Sequence, residues 1–557
     1  MNNEKEKLIK IYPELCDILN NIKKVDEILE KDLSPKIIGL ISGTEENRIF
    51  LEKRFKETKI FKSSFIFSTI EEIRKQNFLG TLVFYKKLES LPIIFKDDVV
   101  LCGMVFGKGE RLMPITNAFR NMKPAMFTPK IIQINNKMYQ ETLIESAMKY
   151  FTLVSFYLKE KGFRGILNKW GDEIQIPAVD LFKENVDYSD TDIIKVVSEQ
   201  IVDETTAKEK DWVGYDKNNN LLRQIPRRPI EEFEKLYNQG IVKKNEKGQY
   251  ICGVSLGPVA VSYRFLEIAK EVFADEIEKY GCYFDFDPYF IMAIALTQEK
   301  NSRELWEKER DKKINELDKM MVNNHYGKDF FDKILSLKKE FEKKYNKKLK
   351  MKTLNFGKVY WADLGLHNRM REYFMSLREL TRDGLIAREI SGIPQEADEN
   401  NNRIVNSELG DVEIKNSVII NSKINKGKII DSVIINGKFH RAELNNSFSI
   451  NDRSYSIKSE KYSGSIRTIS MNHIDVPEKS RHVSIPLKEG IFHFIVSEED
   501  DLRNEYFLSN PIRNNDRSFR KLYEDVFLIS YEESEKIRLE FEKKIIEKIE
   551  QKNTDTE

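Results

Sequence analysis

Apolar residues recur every three or four positions from Lys5 to Leu29, the spacing of one helix face. The pattern then changes to a continuous apolar run, KIIGLIS (Lys36 to Ser42), which reads as a buried strand. A helix (EENRIFLEKRFKE), a strand (SFIFS), a helix (IEEIRKQ) and a strand (TLVFYKK) are expected to follow in alternation. That order suits a parallel sheet with crossover helices, so a small α/β domain is predicted over residues 1–95. A larger α/β domain is predicted over 96–392. It starts with the strand DDVVLCGMVF (Asp97 to Phe106), which runs into FGKGERLMPITNAFRNMKPA (Phe106 to Ala125), and a further strand, FRGILNKW, comes after. A Lys- and Glu-rich stretch at about 299–352 reads as a helical insertion with a solvated, charged face.

After the polar linker PQEADENNN the pattern shortens to aliphatic runs punctuated by Asn, Ser and Gly. NSVIIN begins at Asn416, DSVIIN at Asp431 and NSFSIN at Asn446, a repeat of 15 residues. So short a unit buries its apolar side only by stacking on its neighbours, which predicts a β-solenoid over 400–485; an antiparallel meander is the alternative. The tail, 486–557, offers two strands, GIFHFIVS and DVFLISY, and a charged helix, EESEKIRLEFEKKIIEKIEQ.

Composition narrows the function classes. At 557 residues the chain is long enough for three or four units at roughly 150 residues each. Its 92 basic and 91 acidic residues leave a net charge of +1, so no global field favours nucleic acid or an anionic membrane, and any anion site is local. The 40% hydrophobic and 33% charged content fits a globular protein. No apolar run approaches a membrane span and MNNEKEKLIKIYPEL has no apolar signal core, so a cytoplasmic location is expected. Cys16, Cys102, Cys252 and Cys282 form no CxxC pair and are expected as buried thiols.

The chemistry begins where the Asp97 strand ends. Gly107 and Gly109 would let backbone N–H groups approach a polyphosphate, and Arg111 would add paired donors. The loop is neither a Walker A motif, lacking Gly-Lys-Ser/Thr, nor a GxGxxG fingerprint, lacking the third glycine. The longer stretch GKGERLMPIT, followed by KPA from Lys123, resembles the signature of the sugar-1-phosphate nucleotidyltransferase family, usually GGxGTRLxPLT and then KP. The likeness continues in chain order. GILNKWGDE is similar to the family strand ending in Gly-Asp (Gly171, Asp172), NNNLLRQIPRRP to its Glu-Lys-Pro segment (Arg227, Arg228, Pro229), YICGVSL to the strand with a glycine beside the sugar (Gly253), and VYWADLGLHNRMREYFMSL to its Trp-x-Asp-x-Gly-Thr element (Asp363).

The resemblance implies an α/β fold with a Rossmann-like, GT-A type mixed sheet, followed by a β-helix as in glucose-1-phosphate adenylyltransferases. It implies an enzyme that joins an NTP and a sugar 1-phosphate into an NDP-sugar and pyrophosphate with Mg²⁺ held by Asp172 and Asp363. Gly107, Lys108, Gly109, Glu110 and Arg111 would line the nucleotide, with Arg111 gripping the triphosphate. Lys123 would meet the transferred phosphate, and Arg228 and Gly253 the sugar phosphate. Neutralising anionic reactants is what such chemistry needs, and two carboxylates with Mg²⁺ supply it. His367, in the place of the family's threonine, is expected to be structural. Phe106 stands where the family has glycine and Glu110 where it has threonine. These departures leave a second expectation, a catalytically silent relative that binds a nucleotide or sugar nucleotide. Solenoid edges also leave a homo-oligomer open.

Overall fold

The computed structural model describes the chain except residues 1, 72–75, 106–108, 136, 281–291, 294, 296–302, 305–306, 308–325, 410, 416, 421–422, 425, 431–432, 436, 440–443, 446–447, 451, 503, 514 and 555–557. The architecture is mixed α/β, with a large mixed sheet and a C-terminal region of several sheets. The large sheet has ten strands among the described residues, and its main path runs Leu221–Ile225, Trp212–Tyr215, Tyr250–Ser262, Gly165–Trp170, Val99–Val105, Ile37–Ser42, Phe65–Ile70. Val99–Val105 lies between Ile37–Ser42 and Gly165–Trp170 and pairs in parallel with both, and each of the three is buried along nearly its whole length. A strand covered on both faces reads as an unbroken apolar run, which is how Ile37–Ser42 and Val99–Val105 look in the sequence, whereas Gly165–Trp170 carries Asn168 and Lys169.

The N-terminal unit is part of this sheet. Ile38 pairs with Leu101 and Ser42 with Val105, so the boundary drawn at residue 95 does not interrupt the hydrogen-bonded layer. Pro13 separates the first helical stretch into Asn2–Ile11 and Leu15–Glu30, since a proline has no N–H to continue the helix. The second of these helices is tied to the larger domain by Asn21, which donates to the carbonyls of Pro177 and Val179 at 2.9 Å each.

Two expected strands are helical. TLVFYKK lies in the helix Gln76–Glu89, where Phe78, Leu82, Tyr85 and Leu88 are fully buried at helical spacing. DVFLISY contains a short 3₁₀ turn, Val526–Leu528, and the start of the helix Tyr531–Thr554. The helix expected over IEEIRKQ falls largely outside the described residues. Of the charged insertion, Tyr326–Tyr345 is a helix, and at its end Met351–Asn355 joins the large sheet parallel to Ile193–Ile201.

In the C-terminal region, Val418 pairs in parallel with Val433, and Val433 with Phe448, an offset of 15 residues each time. A second ladder carries Lys423, Lys438 and Arg453, and a third Asp411 and Lys426, at the same offset. An antiparallel meander would not give parallel pairs. The Asn416, Asp431 and Asn446 positions themselves lie outside the described residues. The hairpin Ser480–Leu487 with Gly490–Ser497 extends the first ladder, so the tail completes the ladder region. Cys102 and Cys252 are buried as expected; Cys16 is exposed and Cys282 lies outside the described residues. Among the described residues no helix is long and apolar enough to cross a membrane.

Candidate functional site

Sheet register assembles the site. Asp172 occupies the turn between the strands Gly165–Trp170 and Glu173–Ile176, and the latter pairs antiparallel with Tyr360–Asp363, setting Asp363 opposite Glu173. The two aspartates, 191 positions apart in the chain, thus become neighbours. Gly171 permits the approach: its N–H donates to Met104 O at 3.0 Å, and a Cβ there would fall 2.4 Å from Ile144 Cδ1 and 3.3 Å from Pro124 Cβ. Pro124 follows Lys123 in the turn Lys123–Ala125, so the same close packing brings Lys123 in.

Lys123 Nζ lies 2.6 Å from Asp172 Oδ2 and 3.5 Å from Asp363 Oδ1. Asp363 Oδ1 also accepts the Gly365 N–H at 2.9 Å, and Asp363 Oδ2 is held by the Arg369 guanidinium. Burial opposes the charge on Lys123, but Asp172 and Asp363 outweigh it and hold its pKa above the ordinary value. Burial likewise disfavours an ionised Asp172, and the Lys123 ammonium overrides that, lowering its pKa. Beneath them Lys169 is wholly buried, with its Nζ 3.9 Å from Glu173 Oε2 and 5.2 Å from the Phe151 ring centre. Burial raises Glu173 to about 8, against the pull of Lys169, and lowers the pKa of Lys169. Two carboxylates and two cations therefore face one another above the buried Lys169–Glu173 pair.

Asp363 and Arg369 bring the edge of this cluster to a cleft of about 1160 Å³, lined also by Trp170, Gly257, Trp361 and Arg227. Of the paired arginines, Arg227 faces the cleft, whereas Arg228 donates from Nε to Pro226 O at 3.1 Å and pairs with Glu232. Gly253 lies inside the sheet, where a Cβ would be 3.1 Å from both Tyr215 and Val197; the glycine on the cleft is Gly257, at φ +93° against the Trp170 ring. Gly109 has φ +61° and its carbonyl accepts the Leu112 N–H and the Thr116 hydroxyl, closing the turn that carries Glu110 and Arg111; Arg111 is exposed. Phe106, Gly107 and Lys108 lie outside the described residues. His367 Nε2 is 3.1 Å from Met113 O, and burial depresses its pKa to about 3, so the ring is neutral and donates to that carbonyl.

The structure brings together Lys123, Asp172 and Asp363 of the residues expected. Sequence reasoning missed Arg369, whose signal was its place six residues after Asp363 at the start of the helix His367–Ser376, and the Lys169–Glu173 pair, flanking Gly171 and Asp172. It also missed Tyr12, which reaches the cleft from the N-terminal unit.

As a cation site, the donor set is two hard carboxylates converging on one positive centre, now Lys123. Among the described residues no three His, Cys, Asp or Glu side chains are grouped for a metal ion. Mg²⁺ commonly takes only one or two protein carboxylates and completes its shell with water and substrate phosphate, so the pair fits it. Neither a family model nor a curated protein sequence matches this chain.

Proposed function

We propose that this protein is a nucleotidyltransferase that joins an NTP to a sugar 1-phosphate, releasing pyrophosphate. The observation that carries the reading is the convergence of Lys123, Asp172 and Asp363 from three distant segments, each named by the resemblance, at the edge of a cleft large enough for a nucleotide and a sugar. The same reading takes the large sheet as a GT-A type nucleotidyltransferase domain and the parallel 15-residue ladders as a β-solenoid, supported by their register.

Asp172 and Asp363 would hold Mg²⁺, which when bound neutralises phosphate charge. Lys123, charged at neutral pH, would meet the phosphate that is transferred and offset the charge developing there. Arg111, exposed on its turn, would grip the triphosphate, and Arg227 would meet the sugar phosphate in place of Arg228. Trp170 and Trp361 offer apolar walls on which a sugar or base ring can lie. His367, buried and neutral, holds the turn at Met113 in place and takes no part in proton transfer. The test is pyrophosphate release over a panel of NTPs and sugar 1-phosphates with Mg²⁺. Turnover that disappears in Asp172→Asn and Asp363→Asn supports the reading; no turnover with any pair at high enzyme concentration overturns it.

A second reading, a silent relative that binds a sugar nucleotide, is favoured by one observation. The four charges of the cluster already balance, since Lys123 and Arg369 between them contact both aspartates. Calorimetric binding of a nucleotide or NDP-sugar without turnover would select it.

A further inference from the structure

Resting on the proposed cation site, we infer that Arg369 is a resident stand-in cation: it holds Asp363 until a phosphate-bearing ligand in the cleft draws the guanidinium away, and only then does Asp363 accept a divalent ion. Both oxygens of Asp363 are engaged, Oδ1 by the Gly365 N–H and more loosely by Lys123, Oδ2 by Arg369. A metal ion that takes Asp363 must compete with that guanidinium.

The two cations are built differently. Lys123 has a side chain only 10% exposed, confined by Asp172 and by the Gly365 backbone, whereas the Arg369 side chain is 51% exposed and lines the open cleft. The helix beneath it is anchored, because His367 Nε2 donates to Met113 O and the His367 carbonyl accepts from the buried Arg481 at 3.3 Å. Arg369 can therefore change partners by side-chain rotation alone. Its guanidinium is a fork matched to carboxylate and phosphate oxygens alike, so a phosphate is a direct rival of Asp363 for it. The cleft is lined by acidic side chains as well, Glu209 and Glu372 among them, and Arg227 lies 3.7 Å from Asp211, so the positive charge that an anion meets beside Asp363 is that of Arg369 itself. The consequence is order: the anionic ligand loosens Arg369 from Asp363, and the cation site gains its second carboxylate.

The probe is Mn²⁺ binding to the full chain, followed by electron paramagnetic resonance, with and without inorganic phosphate. Arg369→Gln is expected to bind Mn²⁺ about ten-fold tighter than the unsubstituted protein without phosphate, within the usual range of coupling between sites, and to lose the tightening that phosphate produces. Arg369→Lys, which keeps the charge, should stay near the original affinity. If Arg369→Gln leaves Mn²⁺ affinity and its phosphate dependence unchanged while Asp363→Asn abolishes binding, the stand-in role is overturned and the cation site survives. If Asp172→Asn and Asp363→Asn bind Mn²⁺ as the unsubstituted protein does, or none of these proteins binds it, the cation site fails and the inference with it.

Discussion

Two of the charge clusters among the described residues differ in how their members are enclosed. One is the cleft cluster of Lys123, Asp172, Asp363 and Arg369. The other lies between the ladder region and the C-terminal helix: Arg467 pairs with Glu535, Arg538 Nε lies 3.0 Å from Glu542 Oε1, and Arg453 Nε lies 3.8 Å from the other oxygen of Glu542. Arg467 also lies over the rings of Phe119 and Phe127, and Arg538 donates to the Arg467 carbonyl at 3.2 Å. Burial and the neighbouring Arg467 push Arg538 down to about 10. The arginines of the sealed cluster are enclosed by backbone and aromatic faces, Arg467 with 4% and Arg538 with 7% of its side chain exposed. The cleft cluster opens toward solvent, so its ion pairs can be replaced by a ligand's.

The largest contrast should appear on truncating each cluster. Arg467→Ala removes a buried guanidinium and leaves Glu535, whose side chain is 29% exposed, without its main partner; a cost of about 2–3 kcal/mol is expected, read as a lowered guanidinium chloride midpoint. Replacing both partners, Arg467→Met with Glu535→Leu, should recover most of that loss, because no stranded charge remains. A midpoint unchanged in Arg467→Ala would show that the sealed cluster does not hold the helix Tyr531–Thr554 in place.

The cleft cluster should show the reverse. Asp172→Asn and Asp363→Asn are each expected to lower pyrophosphate release by about 10²–10³-fold, the scale of losing one preorganised electrostatic contact. Their midpoints should move less than that of Arg467→Ala, by about 1–2 kcal/mol, since in either variant Lys123 keeps the other aspartate as a partner. A large stability loss in either variant would make the cleft cluster a structural staple like the other.

Acid should act on both regions through buried histidines. His367, beside the cleft domain's Met113, and His482, in the ladder region, each have a folded-state pKa depressed to about 3 by burial. His493, whose ring lies 5.3 Å from that of His482, is lowered by burial too. The unfolded chain binds protons below its ordinary histidine pKa of about 6.5 that the folded chain refuses, so stability is full above that pH and is lost as pH falls toward 3. Between pH 7.5 and 5 the cost is about 2 kcal/mol per ring. Unfolding midpoints measured across that range should flatten by about one such share in His482→Gln, and an unchanged slope would refute the assignment.

Which parts of this were legible in the sequence follows from how local each signal is. KIIGLIS and DVVLCGMV were readable because strands buried on both faces need an unbroken apolar run, and GILNKW was readable in spite of its Asn168 and Lys169. TLVFYKK misled because its β-branched and aromatic residues match strand composition, while the deciding evidence, burial at Phe78, Leu82, Tyr85 and Leu88, extends past the segment. The sheet's continuity across residue 95 was hidden, since strand order is set by tertiary pairing. Lys123, Asp172 and Asp363 were legible through their order in the chain. Arg227 and Arg228 are adjacent and chemically identical, so only orientation separates them. Arg369 became a site residue only when a helix start placed it over Asp363.

The smallest expected effect is the finest test of the comparison. A Cβ at residue 365 would lie 2.6 Å from Lys123 Nζ and 2.8 Å from Asp363 Oδ1. Both are ends of side chains, so Gly365→Ala moves the ammonium from between the aspartates without forcing the backbone apart. Stability should therefore change by about 1 kcal/mol or less, while pyrophosphate release falls about ten-fold, the rate equivalent of about 1.4 kcal/mol in the barrier. Full turnover in Gly365→Ala would mean that the Lys123 ammonium need not sit between Asp172 and Asp363, and the charge balance seen there would then belong to the fold.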